Sequence, residues 1–141
     1  MTDQRPRVLF VCVKNGGKSQ MAAGLMKLRA GDTVEVHSAG TKPGSKINEL
    51  SAASLAEVGV DITGEQPKPV TEGDVRAADL VVTLGRGAHV EPVRDTRVEN
   101  WDTDEPTERG IEGIERMRLI RDDIDRRVQE LLTRLSASGP R

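Results

Sequence analysis

The sequence predicts an α/β protein with a parallel sheet and helices on both faces. Three observations predict it. A wholly apolar run, Val8-Leu9-Phe10-Val11, leads into a glycine-bearing loop and then a helical stretch, the order of a buried parallel strand feeding its crossover helix. Strand-like and helix-like stretches then alternate along the chain, as parallel sheets require. The chain closes on a long helical stretch with a single apolar stripe.

The elements follow in order. Met1 to Arg7 is a polar lead-in, Val8 to Val11 the first strand, and residues 12–19 a loop. A helix follows from Gln20 to near Ala30, where Gly31-Asp32 stops it. Thr33 to His37 alternates as a second strand, Ser38 to Thr41 ends it, and Lys42-Pro43-Gly44-Ser45 is loop. A packing helix runs from Asn48 to Val58 on Leu50, Ala53, Leu55, Ala56 and Val58, with Gly59 as its stop. Val60 to Ile62 is extended, and Gly64 to Pro69 is turn-rich. Thr71-Glu72-Gly73-Asp74 caps a brief helix to Ala77. Ala78 to Leu84 is the third strand, broken by Gly85-Arg86-Gly87, and Val93 to Trp101 holds a weaker fourth. An acidic loop, Trp101 to Pro106, precedes a helix from Gly110 to Leu135. Its stripe is Ile114, Met117, Ile120, Ile124, Val128, Leu131 and Leu135; Arg116, Asp122, Asp123, Arg126, Arg127 and Glu130 form a solvated face. Ser136 to Arg141 is a tail. With no repeat or linker, residues 1–141 are expected to form a single domain.

Composition narrows the function. The 141 residues are 31% charged and 35% hydrophobic with a formal charge of −2, which fits a folded domain and offers nothing to nucleic acid. Phe10 and Trp101 are the only aromatics, so a base-stacking surface is not expected. One cysteine excludes an internal disulfide and a cysteine-rich zinc site. His37 and His89 share no metal-ligand spacing, and no metal is expected; His37 reads as structural, with His89 at most near a pocket rim. No stretch is long and apolar enough to span a bilayer, so no membrane partner and a cytoplasmic, reducing location are expected.

The chemistry gathers at Cys12-Val13-Lys14-Asn15-Gly16-Gly17-Lys18-Ser19. Strand, glycine loop and helix N-terminus make an anion cradle, in which loop N–H groups and the helix dipole face the ligand. A thiol there meets a helix N-terminus and a nearby lysine, both of which favour thiolate. In parallel sheets ligands bind beyond the carboxyl ends of the strands, where the segments after Cys12, His37 and Leu84 can converge. Three readings compete. A nucleotide-binding loop ends in Gly17-Lys18-Ser19 but needs a glycine where Cys12 stands. A buried cysteine can be merely a small hydrophobe. The third reading is a nucleophilic cysteine facing a tetrahedral oxyanion.

Val8-Leu9-Phe10-Val11-Cys12, Asn15 and Ser19-Gln20-Met21-Ala22 resemble the opening of the low-molecular-weight protein tyrosine phosphatase fold, and more closely the arsenate reductases built on it. Further matches are Ser38-Ala39-Gly40-Thr41, Glu57-Val58-Gly59-Val60-Asp61-Ile62, Ala78 to Leu84, Trp101 with Asp104-Glu105-Pro106, and Arg118 with Arg121-Asp122-Asp123-Ile124 and Arg127. The resemblance implies a flavodoxin-like three-layer sandwich around a four-stranded parallel sheet. It departs in three places. The loop arginine of the family is Lys18 here, a compact charge in place of a planar fork. Thioredoxin-coupled members carry two further cysteines, whereas Gly85 and Glu91 stand near those positions. Some members hold potassium through an asparagine, a glutamate and a serine; Asn15 and Ser38 match, but Ala23 replaces the glutamate.

The pattern without resolving cysteines is similar to the mycothiol-dependent arsenate reductases. That likeness implies arsenate detoxification with no tightly bound cofactor and mycothiol, a low-molecular-weight thiol, as co-substrate. It also implies mycoredoxin as an indirect partner that acts on the arseno-mycothiol adduct. The implied roles are Cys12 as nucleophile, Lys18 neutralising the oxyanion, Ser19 donating to the thiolate or capping the helix, and Asp104 or Glu105 as general acid. Val13, Lys14, Asn15, Gly16 and Gly17 form the substrate-binding loop, the glycines supplying unusual backbone angles. A phosphatase is the rival enzyme, and a non-catalytic oxyanion sensor the alternative of another class.

Overall fold

The computed structural model describes residues 5–93 and 95–137; residues 1–4 of the lead-in, Arg94 and the tail from 138 lie outside the described residues. Four strands, β1 (Arg7–Cys12), β2 (Glu35–Gly40), β3 (Leu80–Leu84) and β4 (Arg97–Trp101), form one parallel sheet in the order β2-β1-β3-β4. β1 lies between β2 and β3 and is buried from Val8 through Cys12, which is why it carries no polar alternation. β4 is an edge strand with Arg97, Val98 and Asn100 exposed, and that exposure is why its sequence signal is weak.

Successive β1 side chains alternate between two cores. Val8, Phe10 and Cys12 face α1 (Lys18–Ala30), α2 (Glu49–Ala56) and α4 (Gly113–Ala137), packing with Leu25, Met26, Leu55, Ile120 and Ile124. The Phe10 and Trp101 rings meet there at 5.6 Å and 55°. Leu9 and Val11 face the thinner layer of α3 (Glu72–Ala77), against Val75, Ala78 and Val90. Helices therefore cover both faces, as expected, though unequally.

Several boundaries move. β1 takes in Cys12, and β2 runs on through Ser38-Ala39-Gly40 because these residues pair with Phe10, Val11 and Cys12; ladder pairing outweighs their loop-like composition. α1 starts at Lys18 with Gly17 as its N-cap and no side-chain cap, so Ser19 is a first-turn residue and not the cap. α2 ends at Ala56, with Asn48 capping it through Ser51 N at 2.9 Å, and Leu50 and Val58 are exposed, outside the core. The capping box of α3 forms as expected between Thr71 and Asp74. α4 begins at Gly113, because Pro106–Arg109 forms a separate 3₁₀ turn that Gly110 closes at φ 78°. Three residues leave the solvated face of α4, among them half-buried Arg127, which donates to Asp102 O at 2.9 Å. Asp123 accepts from Asp104 N at 2.9 Å, and Arg116 lines the main cavity.

The β1 and β3 connections run to opposite sides of the sheet, which opens a crevice at their carboxyl ends. Among the described residues, no helix is long and apolar enough to cross a membrane.

Candidate active site

Cys12 ends β1 at this crevice, 8% exposed, beside a cavity of about 840 Å³. The cavity is lined by segments at the carboxyl ends of the first three strands: Val13 to Lys18 after β1, Gly44 to Ser51 after β2, and Leu84 to Gly87 at the end of β3, with Glu105 and the start of α4.

The loop owes its shape to where its carbonyls go. Cys12 O accepts from Thr41 N at 3.0 Å, Val13 O from Lys42 N at 2.8 Å, Lys14 O from Gly44 N at 2.9 Å and Gly16 O from Asn48 N at 2.7 Å. Asn15 O accepts from Gln20 Nε2 at 3.2 Å. In a trans peptide the N–H points opposite to the C=O. Five carbonyls drawn outward therefore turn the N–H groups of residues 13–17 inward, toward the thiol. One of them is seen to arrive: Asn15 N donates to Cys12 Sγ at 3.3 Å. Successive inward N–H groups at a helix N-terminus form an anion site.

Gly17 takes the unusual backbone angles expected of it, φ −129° and ψ −102°, outside the α and β regions, whereas Gly16 serves by its lack of bulk. Neither Gly16 nor Gly17 has a positive φ; Asn15 does, at 53°. Gly16 is needed for close approach, since a Cβ there would lie 2.8 Å from Lys46 O. Gly40, beneath the loop, would bring a Cβ within 2.7 Å of Val13 O. Asn15 is fully buried and does not line the cavity. It holds the loop from behind, accepting at Oδ1 from Gln20 Nε2 (3.2 Å) and Lys68 N (3.0 Å) and donating from Nδ2 to Ser19 Oγ (2.7 Å). Ser19 Oγ lies 2.9 Å from Cys12 Sγ. Because Oγ already accepts from Asn15, the hydroxyl proton of Ser19 is free to point at the sulfur. The residues do not fit the family's potassium ion: Asn15 Oδ1 is already committed to two N–H donors, and Ala23 offers no oxygen.

Lys14, Lys18, Lys46, Arg86 and Arg116 line the cavity against two carboxylates, Glu49 and Glu105, a balance that suits an anionic ligand. Lys18 Nζ donates to Glu105 Oε1. Asp104, by contrast, does not line the cavity. Arg109 grips it with two hydrogen bonds of 2.8 and 3.0 Å and holds its carboxyl below the ordinary aspartate range. Of the two candidate acids, the structure thus brings only Glu105 to the site. His37 lies outside the cavity beside Glu35, and exposed His89 pairs with Glu91 at 2.7 Å. Among the described residues, no three His, Cys, Asp or Glu side chains cluster as a metal site. Helical periodicity missed Arg116, which lies off the apolar stripe, and no sequence signal marks it.

Residues 7–141 match the family described as low molecular weight phosphotyrosine protein phosphatase. A glutaredoxin arsenate reductase from Synechocystis is 30% identical over 133 residues, covering 92% of this chain and 98% of the relative. A thioredoxin-dependent arsenate reductase from Corynebacterium glutamicum superposes with a TM-score of 0.83 at 36% identity; the match covers 99% of this chain and 66% of that longer one. An arsenate reductase in its phosphate-binding state superposes with a TM-score of 0.80 at 28% identity, covering 92% and 98%.

Proposed function

The chain belongs to the low molecular weight phosphotyrosine protein phosphatase family, and from that premise we propose that it is an arsenate reductase whose electrons come from an external thiol. The observation that carries this reading is the cradle itself: inward N–H groups around one thiol, with cations at its rim. The relatives named as arsenate reductases give the oxyanion its identity.

Cys12 is the nucleophile. Its thiolate attacks arsenic(V), an As–O bond breaks, and the departing oxygen leaves as water with a proton from Glu105. The N–H groups of residues 13–17 and the Lys18 ammonium hold the remaining oxygens, and Ser19 steadies the sulfur. Asp104 has a structural part, anchoring Arg109. With one cysteine in these 141 residues, the next thiol comes from outside them. A low-molecular-weight thiol, mycothiol, displaces Cys12 from arsenic and leaves a thiol–arsenic(V) adduct. A mycoredoxin-type thiolate then attacks the adduct sulfur. An S–S bond forms, the S–As bond breaks, and its electron pair reduces arsenic(V) to arsenite.

The test follows NADPH loss on arsenate with three donor systems: mycothiol with mycoredoxin and its reductase, thioredoxin, and glutaredoxin with glutathione. Turnover with the mycothiol system, lost in Cys12→Ser, is the expected result. Turnover with thioredoxin alone overturns the choice of thiol. If arsenate is untouched but Cys12 releases nitrophenol from p-nitrophenyl phosphate, the protein is a phosphatase. Anion binding without either reaction would make it a sensor.

A further inference from the structure

We infer that Arg116, at the start of α4, supplies to the bound oxyanion the guanidinium fork that the loop lacks at Lys18. This rests on reading the cavity as an oxyanion cradle. Five other arginines of α4, Arg118, Arg121, Arg126, Arg127 and Arg134, hydrogen-bond to carboxylates. Arg116 does not. Its Nε is buried with no hydrogen-bond partner among the described residues. Its Nη2 comes only to 3.7 Å from Glu105 Oε2. Nε and Nη2 form the edge with which guanidinium binds an anion side-on, as Arg29 binds Asp125 at 3.0 and 2.6 Å.

Position and chemistry agree. Arg116 lines the same cavity as Cys12. Glu105 stands between the two cations, with one oxygen on Lys18 and the other facing Arg116. The next residue, buried Met117, accepts a hydrogen bond from Ser51 Oγ at 3.6 Å, which fixes where α4 begins to line the site. A buried donor left unpaired is costly; Nε is closed to solvent here, and a rotation of the half-buried side chain brings this edge to the two adjacent oxygens that a tetrahedral oxyanion offers. Lysine, a point charge, cannot make that paired contact. A fork brought from α4 therefore completes a loop that carries lysine.

The experiment measures orthophosphate affinity by calorimetry, together with kcat and KM for arsenate, in wild type, Arg116→Gln, Arg116→Lys and the double variant Lys18→Arg/Arg116→Gln. Melting temperature is the control for folding. Arg116→Gln is expected to weaken orthophosphate binding by about tenfold and to raise the arsenate KM alongside it, with little change in melting temperature. Arg116→Lys, which keeps the charge, should recover little, whereas the double variant should recover much of the loss by placing the fork in the loop. Orthophosphate affinity within twofold of wild type in Arg116→Gln or Arg116→Lys overturns the inference, as does a wild type that binds no orthophosphate. If arsenate is not turned over but orthophosphate binding still depends on the Arg116 fork, the reductase reading fails and this inference holds.

Discussion

Asn15 is fully buried at φ 53°, with its side-chain oxygen accepting from Gln20 and Lys68 and its amide donating to Ser19. Removing that side chain strips partners from buried polar groups, which are expensive to leave unpaired. Asn15→Ala should therefore lower unfolding free energy by about 2–4 kcal/mol in urea titrations, and it should loosen the Ser19 contact to Cys12. Gly40→Ala tests the floor of the loop. Its Cβ would meet Val13 O at 2.7 Å, backbone against backbone, so stability should fall by about 1–3 kcal/mol and arsenate kcat/KM should fall with it. The two neighbouring acids separate cleanly. Glu105→Gln should cost about 10²-fold or more in kcat. Asp104→Asn should leave kcat close to wild type, because Arg109 holds Asp104 outside the cavity. Steady-state rates for the pair decide between them.

The elements owe their mutual placement to specific clamps. Glu57, just beyond α2, takes hydrogen bonds from Arg118 and Arg121 of α4, and those guanidinia pull its carboxyl down to about 2. A carboxyl lowered in the folded state stabilises above its unfolded value and loses that contribution as pH falls through the folded one. The melting-temperature gap between wild type and Glu57→Gln should thus be full at neutral pH. It should shrink below the ordinary glutamate range and close near pH 2. A gap independent of pH would show that the clamp acts through packing alone. The clamp matters to the site because α4 carries Arg116 and Met117 to the cavity wall.

Across the whole molecule, legibility followed burial and local chemistry. β1 was plain because a central strand is apolar throughout, and the loop was plain because cysteine, glycines, lysine and serine sit together at its end. The end of β2 was not, since Ser38-Ala39-Gly40 joins the sheet only through pairing with β1. Three site features depend on tertiary placement that no periodicity encodes: the left-handed turn at Asn15, the choice of Glu105 over Asp104, and the turn of Arg116 into the cavity. The carbonyls of residues 12–16 show why the site needs the whole fold. They are held by the strap after β2 and by Gln20 of α1, so the cradle forms only once the sheet and α1 are assembled.

The cradle is proposed to deliver arsenate to Cys12 for reduction through mycothiol. Chromatographic speciation of arsenic tests it most directly, after incubation of wild type and Cys12→Ser with arsenate, mycothiol, mycoredoxin and its reducing system. Arsenite is expected from the wild type, with none above background from Cys12→Ser. Equal arsenite from both proteins, or none from either, would contradict the proposal.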